Sequence, residues 1–116
     1  MSRLDDVRTG ALALPGATVV RQWGNCLVFK VAGKVFLVVA EEAGILLSLS
    51  FKCTPDEFAE LTEIDGIRQA PYFARRHWVQ VEDPAALAAA ELAARIRRSY
   101  ALVVAGLPQK TRRLLG

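Results

Sequence analysis

The sequence predicts one domain of mixed helix and strand, in the order α-β-β-β-β-α-β-α. Three observations predict it. Four β-rich runs lie between residues 18 and 52, broken by glycine-containing turns. Thr54-Pro55 and Asp83-Pro84 each place a capping side chain before a proline, the mark of a helix start. One run, Ile45 to Lys52, alternates apolar and polar residues with period two, which predicts an antiparallel strand with one wet face.

Residues 2–13 read as the first helix, with Leu4, Val7, Ala11 and Leu12 on one face, Ser2 and Asp5 in a capping arrangement, and Pro15-Gly16 as the stop. Thr18 to Trp23 is a strand closed by Gly24-Asn25. Cys26 to Val31 and Lys34 to Ala40 form a hairpin across Ala32-Gly33, a two-residue turn of the kind that joins paired strands. Glu41 to Gly44 reads as a loop. In the next strand Ile45, Leu47, Leu49 and Phe51 share one face, with Leu46, Ser48, Ser50 and Lys52 on the other. Thr54, Pro55 and Glu57 begin a short helix that turns Phe58 and Leu61 inward and ends before Asp65-Gly66. A loop through Pro71 leads to a fifth strand, His77 to Glu82. The last helix starts at Asp83-Pro84, with Leu92, Ile96, Tyr100 and Val103 as its inner stripe, and stops at Gly106-Leu107-Pro108. Residues 109–116 read as a frayed or partly helical basic tail.

Composition narrows the class. The 116 residues are 53% hydrophobic and 23% charged, enough apolar matter for a core and too much for a disordered tail. No apolar run approaches the roughly 18 residues that cross a bilayer. The N-terminus lacks the apolar segment of a secretory signal, so the expectation is a cytoplasmic protein with no membrane partner. Cys26 and Cys53, 27 positions apart and with His77 as the single histidine, do not make a metal-ligand set and read as small buried hydrophobes.

The net charge of +3 is unevenly spread. Arg95, Arg97, Arg98, Lys110, Arg112 and Arg113 occupy the C-terminal stretch without an intervening acid, and Arg68, Arg75 and Arg76 form a second cluster. Acids concentrate at Glu41-Glu42 and between Asp56 and Asp65. Such segregation either creates a positive face that attracts phosphates or is a solvated surface.

The chain resembles the MmcQ/YjbR family of small proteins. The matching residues are Leu14-Pro15-Gly16, Trp23, Gly33-Lys34-Val35-Phe36, Leu49-Ser50-Phe51-Lys52, Tyr72, His77-Trp78-Val79, Ser99-Tyr100, Leu102-Val103-Val104 and Leu107-Pro108. Phe51 departs from similar sequences, which often carry asparagine and then leucine before the lysine. The resemblance implies an α+β fold: a mostly antiparallel five-stranded sheet with helices packed on one face, of the CyaY-like or secretion-chaperone-like group. It also implies the family's usual description, a DNA-binding protein with a double-wing motif.

Catalytic readings find little to stand on. Ser48, Ser50 and Ser99 lack a G-x-S-x-G setting, no phosphate loop or H-E-x-x-H occurs, and no cofactor is implied. A frataxin-like metal ridge would need a carboxylate-rich first helix, whereas Asp5 and Asp6 are balanced by Arg3 and Arg8. The expected function is therefore a non-enzymatic DNA-binding module that contacts the phosphate backbone. Its candidate contacts are Lys30, Lys34, Lys52, Arg68, Arg75, Arg76, Arg97, Arg98, Lys110, Arg112 and Arg113. Trp23, Tyr72 and Phe73 are candidate stacking aromatics, with Trp23 and Trp78 equally readable as core. Four neutralised phosphates would give a salt slope of about −3.6. The alternative is a protein-interaction or self-associating adaptor using the open sheet face, for which Leu46 and Phe73 hint at an apolar patch.

Overall fold

At both tight hairpins an alanine and a glycine share left-handed backbone: Ala32 and Gly33 have φ of 51° and 77°, Ala43 and Gly44 of 52° and 80°. This is the geometry that lets a two-residue turn follow the natural strand twist. It generates a meander of β2 (Cys26–Val31), β3 (Lys34–Glu42) and β4 (Ile45–Lys52). The computed structural model describes residues 2–71 and 77–115. Before the meander come α1 (Arg3–Leu12) and β1 (Ala17–Gln22). After it come α2 (Pro55–Leu61), β5 (Ile67–Gln69), β6 (Trp78–Val81), α3 (Ala89–Ala105) and α4 (Gln109–Leu114).

The sheet is antiparallel throughout, in the order β1-β2-β3-β4-β6-β5. It has six strands rather than the expected five. The extra one, β5, is three residues long at the far edge, too short for any period to show in the sequence. One face carries Leu27, Phe29, Leu37, Val39, Leu49, Phe51, Val79 and Val81, all buried, against which Leu4, Val7 and Ala11 of α1 and Leu92 and Ile96 of α3 pack.

Several expectations are corrected. In β4 a one-residue bulge, marked by the register step between Ala40 and Glu41, reverses the alternation before Ser48. Leu46 therefore turns into the core, while Ile45 and Leu47 are exposed. Leu12 of α1 is exposed too. Asp83-Pro84 opens only a 3-10 turn, Pro84–Ala86, because Leu87 then extends to plug into the core. Arg3 donates to the carbonyls of Pro84 and Leu87 that this interruption frees, and the helix proper starts at Ala89. Of the two readings of the tail the helical one holds: α4 occupies Gln109–Leu114, with Leu115 set against Gly16. A Cβ on Gly16, whose φ is +72°, would stand 2.5 Å from Leu115 Cδ2.

Candidate nucleic-acid interface

Antiparallel pairing of β3 with β4 brings the first residues of one beside the last of the other. Lys34, directly after the Ala32-Gly33 turn, and Lys52, the last residue of β4, consequently line one cleft of about 460 Å³. Its apolar walls are Val35, Trp78, Val103 and Leu107. Lys30 pairs with Val35 and lies at the same end of the sheet. Helix α4 starts two residues beyond Leu107 and carries Lys110, Arg112 and Arg113 onward from the cleft. Among the described residues Lys30, Lys34, Lys52, Lys110 and Arg113 have no acidic partner within ion-pair distance, and Arg112 donates to the Ala105 carbonyl. Unneutralised cations on one end of a domain focus a positive field there.

The other candidate cations lie elsewhere. Arg68 is on the far edge strand, 2.6 Å from Glu82 and hydrogen-bonded to Gln80. Arg98 is committed to Glu57, as is Arg95, which also reaches Glu91. Arg97 lines a small cleft of about 180 Å³ between α1 and α3. Arg75 and Arg76, like Tyr72 and Phe73, lie outside the described residues.

Glu57 was invisible as a hub in the sequence. Its Oε1 accepts the Thr54 amide, completing the α2 capping box, while Oε2 takes Arg95 and Arg98 from α3. Burial works to raise its carboxyl pKa, but the Thr54 amide and the Arg98 guanidinium outweigh it and hold it below the ordinary carboxylate range. Arg21 likewise bridges Asn25 and Glu41, bracing two turns at the opposite end of the sheet from the cleft.

A second concavity, of about 640 Å³, lies on the sheet face away from the helices. Val38, Ala40, Ser48, Ser50 and Gln80 form its floor and edges, and Trp23 one wall. Trp23 is 59% exposed, so it is not a core aromatic, whereas Trp78 is buried. Its φ of 51° is rare for a bulky side chain.

No hydrogen bond links His77 to a serine among the described residues; the His77 ring stands edge-on to Phe58 at 5.7 Å. Nor do any three His, Cys, Asp or Glu side chains among them converge to hold a metal ion. No helix among them is long and apolar enough to cross a membrane.

A family model described as YjbR matches residues 12–102. The chain belongs to the YjbR family. Its fold is similar to the crystal structure of Deinococcus radiodurans protein DR2400, a DUF419 domain, with a TM-score of 0.87 and 27% identity over 100% of this chain and 89% of that one. Among curated proteins none matches.

The structure gives several residues of the YjbR resemblance an architectural meaning. The Ser99 hydroxyl, fully buried, accepts the Lys52 amide at 2.8 Å and donates to the Phe36 carbonyl at 2.7 Å. The Tyr100 ring meets Phe36 edge-on at 5.4 Å, and its hydroxyl donates to the Pro15 carbonyl. Pro15-Gly16, Phe36 and Ser99-Tyr100 thus meet around the start of β3, close to the lysine cleft. In this YjbR protein they build the support on which Lys34 and Lys52 stand.

Proposed function

We propose that this chain is a non-enzymatic module that binds DNA through the phosphate backbone, with Lys34 and Lys52 at the centre of the contact and Lys30, Lys110, Arg112 and Arg113 around it. The observation that supports this reading is the grouping of cations left without acidic partners at one end of the sheet, beside a cleft wide enough for a phosphodiester. Phosphate contacts of this kind fix position without reading sequence, so little base preference is expected.

Fluorescence anisotropy with a labelled duplex at two salt concentrations tests it. Binding should weaken steeply with salt, and the Lys34→Ala/Lys52→Ala variant should reduce the slope of log K against log salt by about 2. Arg97→Ala should leave binding unchanged. Absent binding at low salt, or affinity indifferent to salt, overturns the reading.

A second reading, a self-associating module, rests on Trp23, Ile45 and Leu47, three exposed apolar residues at the β1–β2 and β3–β4 turns. Light scattering across a concentration series decides it, and a constant monomer mass retires it.

A further inference from the structure

The groove on the outer sheet face is not needed for phosphate contacts, and four features of it ask for an occupant. Trp23 is more than half exposed; the β1–β2 turn gives it the left-handed backbone that Ala32 and Ala43 have at the other hairpins, but a large aromatic side chain there packs on little of the protein. The groove falls within the size range of small-ligand sites and combines apolar lining residues with the polar side chains of Ser48, Ser50 and Gln80. Beside the groove, Gln22, paired with the lining residue Cys26, keeps an Oε1 that is shielded from solvent and has no hydrogen-bond partner among the described residues. Finally, β4 runs from the groove into the lysine cleft: Ser48, Ser50 and Lys52 alternate along one face, spanning about 13 Å at the strand rise.

We propose that this groove accepts an unpaired nucleobase, stacked on Trp23, from a single strand whose phosphates lie against Lys52 and Lys30. The proposal rests on the polyanion reading above and deepens it. Bases stack on aromatic side chains whatever their identity, and the Ser48 and Ser50 hydroxyls and the Gln80 amide lining the groove offer polar partners to the rim of a base. A duplex keeps its bases inside, so it reaches the cleft and not the groove. The expected preference is therefore for single strands or frayed ends, with Lys34 and Lys52 serving both forms.

Three probes of equal length separate the possibilities: an oligo-dT strand, an abasic strand with the same phosphates, and a duplex. The wild-type chain should bind oligo-dT roughly tenfold more tightly than the abasic strand, the range of one base–aromatic stack. Trp23→Ala should bring oligo-dT down to the abasic level while leaving abasic and duplex binding unchanged, and Trp23→Phe should recover part of the difference. Because Trp23 touches little of the core, both variants should fold, which circular dichroism verifies. Equal binding of oligo-dT and abasic strands, or equal loss on both in Trp23→Ala, overturns the stacking site and leaves the phosphate reading standing. If none of the three binds at low salt, both fall together.

Discussion

Ser99 holds Lys52 by its backbone rather than by its charge. The β3–β4 ladder begins at Leu37 opposite Phe51, and one position beyond it the Ser99 hydroxyl spans the gap between the Phe36 carbonyl and the Lys52 amide. The lysine at the centre of the candidate interface is therefore positioned from α3, the helix packed directly on β3 and β4.

Ser99→Ala removes that bridge and leaves one donor and one acceptor without their partner at a position where the serine itself is fully buried. The expected cost is about 1–3 kcal/mol, read as a lower urea midpoint with an unchanged m-value. An unaltered midpoint would mean that the two strand ends close directly on each other.

Glu57 makes the fold sensitive to acid at one point between α2 and α3. Its carboxyl is held below its ordinary value of 4.5, so its contribution is fully present above that pH and fades as pH falls through the lower folded value. Stability should be flat from pH 6 to 5 as far as this group is concerned, then decline. Glu57→Gln should cost about 1–2 kcal/mol at pH 7, discounted because the Arg98 side chain is 59% exposed, and its disadvantage should shrink below pH 4. Thermal melts of both proteins across this range check it; a constant gap between them contradicts the assignment.

The two cysteines should differ sharply in reactivity. Burial, and then the charge of Glu57, push the Cys53 thiol up to about 11, and the thiol donates to the His77 carbonyl. At pH 8 only about one Cys53 in a thousand is thiolate, so it should resist alkylation until the protein unfolds. Cys26 lines the groove and is partly exposed. Mass spectrometry after brief iodoacetamide treatment should find a single adduct, on Cys26. Equal labelling of both would show that Cys53 is open to solvent.

Local chemistry was readable and long-range chemistry was not. Both capping boxes, Ser2 with Asp5 and Thr54 with Glu57, are fixed by neighbours three residues apart and appear as read. The phase of β4 was misjudged because a bulge adds one residue without disturbing the visible alternation; only the partner strand reveals that Leu46 faces inward. The same limit applies to the site. Lysines and arginines look alike on paper, yet Arg98 is claimed by a carboxylate 41 residues away, whereas the Lys34 and Lys52 ammonium groups meet no carboxylate among the described residues. The outer groove had one trace in the sequence, the polar series Ser48, Ser50 and Lys52, while Trp23 could be weighed only after its exposure was known.

The bond from the Tyr100 hydroxyl to the Pro15 carbonyl joins positions 85 residues apart. On a ribosome, the meander can leave the exit tunnel and pair locally, but Phe36 and the loop at Pro15 have no lid until Tyr100 follows. The nascent sheet must therefore wait with α1 alone on its inner surface and the part that α3 covers bare, and chaperone demand should peak in that interval and end abruptly once α3 emerges.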